Sequence, residues 1–295
     1  MTRRGWTYFL ALSVMWGIPY FLIRIAVRQL DPGALVMART LPAAVLLMPV
    51  AVHQRVLPSL RPVWRWVVLY TVIEFGIPWV MMGTAEKHLS SSLTGLIVAT
   101  VPLVSVGLSR LVHPDVIIGR RRILGLAVGT AGVITLVGLD VSGGSWWWVA
   151  AMSVVVVGYA AGPMILSAKL QDVSGLAVVA TSITLVALVY APWGLTHWPA
   201  HVRAETWMSV AVLAVVCTAG AFLVLFASVK ENGPSRTVVV TYINTAVAVL
   251  LGTVFLRESV TVGLVIGFPL IVVGSILATS RSPQVARADA EADAR

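Results

Sequence analysis

Ten apolar stretches, each about the length of a membrane-crossing helix, succeed one another from Trp6 to Thr279 with only short polar breaks between them. The breaks fall around Gln29 to Pro32, His53 to Pro62, Glu86 to Ser90, His113 to Arg120, Asp140 to Ser145, Lys169 to Ser174, His197 to Glu205, Lys230 to Pro234 and Arg257 to Thr261. A hydrocarbon core of roughly 30 Å needs about 20 helical residues. A chain of 295 residues holds ten such crossings with almost nothing left for extramembrane domains. Apolar residues make up 58% of it and charged residues 11%, and the mean hydropathy is +0.92, a balance that a soluble core cannot bury. The expected fold class is all-α integral membrane, with ten transmembrane helices and function placed inside the bundle.

The net charge of +9 would suit nucleic acid, but its distribution points elsewhere. With the N-terminus cytoplasmic, the inner side collects Arg3, Arg4, Arg55, Arg61, Arg65, Arg110, Arg120, Arg121, Arg122, Lys169, Lys230, Arg236, Arg281, Arg287 and Arg295. The outer side receives only Arg28, Lys87, Arg203 and Arg257, while Arg24 and Arg39 fall within spans. That bias follows the positive-inside rule with both termini cytoplasmic, so topology accounts for the basic residues and nucleic acid is not an expected partner. Met1 to Arg4 followed by an apolar run resembles a signal peptide, but no small-residue cleavage pattern follows, and the run is expected to remain as the first helix. The single cysteine, Cys217, offers neither a disulfide nor a cysteine metal site.

The halves of the chain match each other at an offset of about 143 residues. Lys87 to Thr94, ahead of the fourth span, aligns with Lys230 to Thr237 ahead of the ninth. Gly125 and Gly132 of the fifth span correspond, with the same internal spacing, to Gly267 and Gly274 of the tenth, and Pro19 corresponds to Pro163. Each half holds five spans, and an odd number makes the second half enter the membrane from the opposite side. Two inverted five-helix repeats are therefore expected, over 1–140 and 141–279, with 280–295 a disordered cytoplasmic tail.

The second half carries Ala227 to Arg236, then Thr241-Tyr242-Ile243-Asn244-Thr245, Leu256-Arg257-Glu258-Ser259 and Gly267 to Gly274; the first carries Trp16-Gly17, Ala38-Arg39, Glu86 to Thr94 and Val101-Pro102-Leu103. In that order these segments resemble EamA-type domains of the drug/metabolite transporter superfamily over nearly the whole chain. The resemblance implies a ten-helix exporter or importer of amino acids, other small metabolites or drugs, with a central cavity between the repeats and no cofactor. Two segments depart from the family's pattern. Asn244-Thr245 stands where many members have an acidic residue and a proline, and Asp115 follows His113-Pro114 where the first repeat often has Gly-Glu.

Polar residues inside spans are the best pointers to a site, because each must be satisfied in hydrocarbon or face a wet cavity. Glu74 is foremost, with Tyr70 and Pro78 four residues to either side and so on one helical face. A carboxylate at that depth is protonated, paired, or exposed to cavity water; the alternative to a transport role is an internal pair that only locks helices. Arg39 is expected to pair structurally, with Glu74 as the candidate partner. Trp16, Tyr20 and Arg24 share one face of the first span, as an aromatic wall ending in a cation or as packing with interfacial anchoring. Tyr159, Tyr242, Asn244 and Thr100 are cavity-lining candidates with interhelical hydrogen bonding as the rival, and Phe222 could supply an apolar wall. Pro19, Pro42, Pro78, Pro102, Pro163 and Pro269 favour kinks within spans. Trp146-Trp147-Trp148 fits an interfacial belt.

A membrane-embedded enzyme would need a reactive cluster, yet the histidines lie at or near breaks and no pair has metal-ligand spacing within a span. No phosphate-binding glycine loop appears. The expectation is a secondary transporter in a bacterial inner membrane, working by alternating access and exporting on family grounds, with a channel or scaffold as the alternative. Its partners are a small-molecule substrate and the lipid bilayer, with a homodimer left open.

Overall fold

The computed structural model describes residues 2–112, 119–140, 146–233 and 240–279. These form helices and the turns between them, with no strand among the described residues. Asp115, Gly143, Gly144, Ser235 to Thr237 and the tail 280–295 lie outside the described residues.

Helix α1 (Arg3–Ala26) starts at Thr2, whose hydroxyl accepts from the Gly5 N–H at 3.0 Å. Helix α2 (Pro32–His53) starts at Asp31, which accepts from the Gly33 N–H at 2.9 Å, and Pro32 occupies a first-turn position that needs no N–H. The run α3 (Leu57–Ala85) is continuous but changes pitch: a 3-10 stretch Leu57–Val63, an α segment Trp64–Tyr70, a π turn Thr71–Gly76 and an α segment Ile77–Ala85. Helix α4 (Ser91–Leu111) is capped by Ser90 and interrupted at Ala99 and Thr100, just before Pro102. There follow α5 (Arg120–Asp140), α6 (Trp146–Lys169), α7 (Gly175–Thr196) and α8 (Ala204–Asn232), the last broken by a π turn Val215–Gly220. Helices α9 (Val240–Phe255) and α10 (Val262–Thr279) complete the bundle.

Seven of these runs, α1 to α4 and α6 to α8, are long and apolar enough to cross a membrane, and α9 and α10 are shorter apolar helices. Large apolar side chains such as Leu188, Val189, Leu195, Leu250 and Phe255 stand on the surface. In water so much exposed apolar area would be unfavourable, whereas against lipid it is the expected exterior.

Helix α5 lies along α10 and α2 along α7, while α1 packs on α8 and α9, and α6 packs on α3 and α4. The α5–α10 seam is glycine against backbone. A Cβ on Gly125 would stand 2.7 Å from the Gly274 carbonyl oxygen, and one on Gly267 would stand 2.9 Å from that of Gly132. The two pairs of glycines that correspond between the halves therefore pack crosswise, Gly125 on Gly274 and Gly132 on Gly267. Small residues let backbones approach where lipid supplies no hydrophobic drive to association.

Candidate functional site

Two π turns mark the middle of the bundle, one in α3 (Thr71–Gly76) and one in α8 (Val215–Gly220). A π turn admits one extra residue and is frequent at functional positions. In α3 the local cause is Pro78, which has no N–H for the Glu74 carbonyl and whose ring crowds it. At the end of this turn the Gly76 carbonyl accepts from the Tyr190 hydroxyl of α7 at 2.9 Å. In α8 the Thr218 hydroxyl reaches back five residues and donates to the Leu213 carbonyl at 2.8 Å.

Glu74 sits on the first of these turns. Its Oε2 is buried and has no hydrogen-bond partner. The carboxylate lies against Gly162 of α6, where any Cβ would collide with it. One turn earlier in α6, Gly158 accommodates the Pro78 ring, whose Cγ would be 2.8 Å from a Cβ placed there. Glu74 and Pro78 thus share the face toward α6, as their spacing implies. Tyr70 departs from that face: its ring packs edge-on against Phe75 at 5.5 Å, because the extra residue of the π turn breaks the register between positions 70 and 74. Tyr70 and Tyr159 are both within electrostatic reach of Glu74.

Arg39 does not form the anticipated ion pair with Glu74; among the described residues the side-chain ion pair is the exposed Arg203–Glu205 at 3.6 Å. Buried Arg39 instead stacks its guanidinium 3.7 Å over the Trp79 ring, and its Nη2 donates to Thr218 Oγ1 at 3.1 Å. A ring face and a hydroxyl are enough to hold a desolvated guanidinium in place. Its Nε has no partner. Arg39 therefore ties α2 to the π turn of α8 and to Trp79, three residues beyond the π turn of α3. A chain of edge-on rings runs beside it: Trp79 to Phe75 at 5.2 Å, Phe75 to Phe222 at 5.7 Å, and Phe222 to Trp16 at 6.0 Å.

Glu74, Trp16, Arg39, Tyr70, Pro78, Tyr159 and Phe222 are thus brought together, whereas the remaining candidates are not. Arg24 donates from Nη1 to the Glu86 carbonyl and caps α3, so it does not end an aromatic wall. Tyr20 is buried against Gly95 of α4. Thr100 donates to its own helix, to the Ile97 carbonyl at 2.6 Å. On α9, Tyr242 is buried, and Asn244 accepts from Thr245 at 3.3 Å with its backbone against Gly17 of α1. The pockets found in the bundle also differ from the central cavity that the resemblance implies. One, of ≈ 250 Å³, is lined by Asp31, Thr84, Lys87, Tyr190 and Trp193, and another, of ≈ 300 Å³, by Ser90, Ser92, Glu258 and Thr261. Both lie at the end of the bundle where α3 turns into α4.

Sequence reasoning missed Phe75, Trp79, Thr218 and Gly162, which are ordinary residues of apolar spans; Phe75 and Thr218 lie on the π turns, and Trp79 and Gly162 pack against Arg39 and Glu74. It also placed Glu86 in a polar break, whereas its side chain is 0% exposed.

The EamA-like transporter family matches residues 3–138 and, a second time, residues 146–280. The uncharacterized inner membrane transporter YedA of Escherichia coli (strain K12) is 29% identical over 253 residues, covering 82% of this chain and 80% of that protein. Protein PecM of Dickeya dadantii (strain 3937) is 24% identical over 285 residues, covering 92% of each. A protein crystal structure superimposes with a TM-score of 0.66 at 19% identity, covering 97% of this chain and 98% of that one, which is a likeness of fold. With family matches over both halves of an all-helical, lipid-faced bundle, the chain belongs to the EamA-like transporter family and is a membrane transporter, not an enzyme.

Proposed function

We propose that the chain is a secondary transporter, independent of ATP, that exports a small metabolite or drug across the bacterial inner membrane by alternating access. Both termini are cytoplasmic in this reading, and two inverted five-helix repeats, 1–140 and 141–279, are the moving parts. Three observations support the repeats. The family matches twice in tandem. The helix pairings exchange when the halves are swapped: α1 on α8 and α9 becomes α6 on α3 and α4, while α2–α7 and α5–α10 map onto themselves. The π turns fall at equivalent places, about 144 residues apart, so that Glu74 corresponds to Thr218.

The observation that carries the reading is Glu74 itself, a buried carboxylate oxygen with no partner, on a π turn whose counterpart holds Arg39. Such a group inside a span serves transport by binding a proton or a cationic part of the substrate. The rings of Trp16, Phe75, Trp79 and Phe222 offer an apolar wall beside it, and kinked spans allow the halves to rock.

Amino acids, polyamines, nucleosides and cationic dyes can be screened for thermal stabilisation of the purified protein. A ligand held at about 100 times its Kd adds about 2.7 kcal/mol to the native state. Counterflow of that ligand in proteoliposomes then tests the site. Glu74→Gln is expected to abolish the pH dependence of transport, or transport itself, in protein of unchanged thermal stability. Transport with an unaltered pH profile in this variant refutes a coupling role for Glu74, and a ligand that binds but is never translocated favours a scaffold.

A further inference from the structure

The turn after α3 buries a second carboxylate. Glu86 directly follows the last residue of α3, and its neighbours Lys87 and His88 are exposed, yet Glu86 is 0% exposed and neither of its carboxylate oxygens has a hydrogen-bond partner. The groups that act on it come from every side: Arg24 and Tyr20 of α1, Arg39 of α2, Tyr159 of α6, and Glu258 of the α9–α10 connection. Arg24 donates to the Glu86 main-chain carbonyl and so leaves the carboxylate unfilled.

Glu258 is held in place more firmly. It accepts from Ser91 N and Oγ at 2.7 and 2.9 Å and from Ser92 N and Oγ at 3.0 and 2.5 Å, which docks the α9–α10 connection on the N-terminus of α4. It also lines the ≈ 300 Å³ pocket beside the α3–α4 turn, together with His88 and Leu89 of that turn.

An ionised carboxylate without hydrogen bonds is unfavourable in such a place, and a second carboxylate nearby makes it more so. One proton removes that penalty with a single atom. A metal ion would need a shell of ligands next to the Arg24 guanidinium, and no group of three or more His, Cys, Asp or Glu gathers among the described residues.

We infer that Glu86 is a proton-binding site separate from Glu74, loaded when Glu258 docks on α4 and unloaded when that contact opens and water reaches it through the pocket. Docking desolvates Glu86 and sets Glu258 beside it, and both effects favour the protonated form. Opening reverses them, so proton uptake and closure of this end of the bundle are one event. The inference needs no transported ligand, so it stands or falls independently of the proposed transport cycle.

Infrared titration of the full chain in lipid nanodiscs reads the carbonyl band of protonated carboxyl groups. Glu86→Gln is expected to remove one component of that band and Glu74→Gln a different one, with neither component responding to sodium at constant pH. A band left intact by Glu86→Gln, or a component displaced by sodium, overturns the proposal. Should Glu86→Gln fail to accumulate, Glu258→Gln keeps Glu86 in place and removes its negative neighbour. The titration midpoint of the Glu86 component is then expected to move to lower pH, and an unmoved midpoint overturns the proposal equally.

Discussion

A Cβ at Gly162 would collide with the Glu74 carboxylate, and together with Gly158 against Pro78 this glycine sets how closely α6 approaches α3. Gly162→Ala is expected to displace Glu74 and to destabilise the protein by about 1 to 3 kcal/mol, the usual range for overpacking. Thermal unfolding of purified protein measures it, and an unchanged midpoint would mean that the carboxylate has room to move away. At this scale the sequence was partly legible. Glu74 stands out because acidic residues inside spans are rare, but Glu86 abuts an apolar run and is followed by Lys87 and His88, which advertise a solvated turn. Only the packing of α1, α2, α6 and the α9–α10 connection around it shows that the side chain turns inward.

Helical elements in this chain are set by caps and interruptions more than by propensity, since apolar composition alone would support one uninterrupted helix after another. Asp31 shows the effect of a cap. Partial burial pushes its carboxyl up, but hydrogen bonds from the Trp193 indole at 2.7 Å and from the Gly33 N–H outweigh this and hold it below the usual aspartate range. A group whose folded value lies below its unfolded one, about 3.9 for aspartate, contributes stability that is complete above the unfolded value and disappears as pH falls through the folded one. Asp31→Ala is therefore expected to cost about 1 kcal/mol at neutral pH, the typical worth of an N-cap. The gap in unfolding temperature between wild type and variant should hold down to about pH 5 and close below about pH 4. A gap that persists in acid would assign the effect to packing of Asp31 on α7. The element boundaries followed from the polar breaks, but the π turns did not. Pro78 marks the first turn, whereas Val215 to Gly220 contains no proline at all.

For the whole molecule, the seam between α5 and α10 is the contact that leaves least room for change. A Cβ on Gly274 would stand 2.7 Å from the Gly125 carbonyl oxygen and closer still to the backbone of Gly129, so only a shift of a whole helix could admit it. Gly274→Leu on α10 is expected to abolish recovery of a monodisperse protein, while Gly138→Ala on the facing helix α5, where a Cβ meets nothing within 4 Å, should be neutral or slightly stabilising. Size-exclusion profiles of the two variants check this. Equal yields would mean that the seam is looser than its glycines imply. The match of these glycines between the halves was visible as a spacing. That they would lie against one another was not, because a repeat in sequence carries no statement about which of its copies touch.

Hydropathy, breaks and charge bias determined by themselves that this chain lives in a membrane as a helical bundle, because hydrocarbon forces every backbone polar group to be satisfied within its own segment. They also singled out Glu74, since an ionisable group at that depth is conspicuous by composition alone. Tertiary structure alone decided Arg39's partners, the burial of Glu86 and the ring chain from Trp79 to Trp16. Those depend on where helices distant in sequence meet, and on two turns that rotate side chains by one residue, and helical periodicity contains neither.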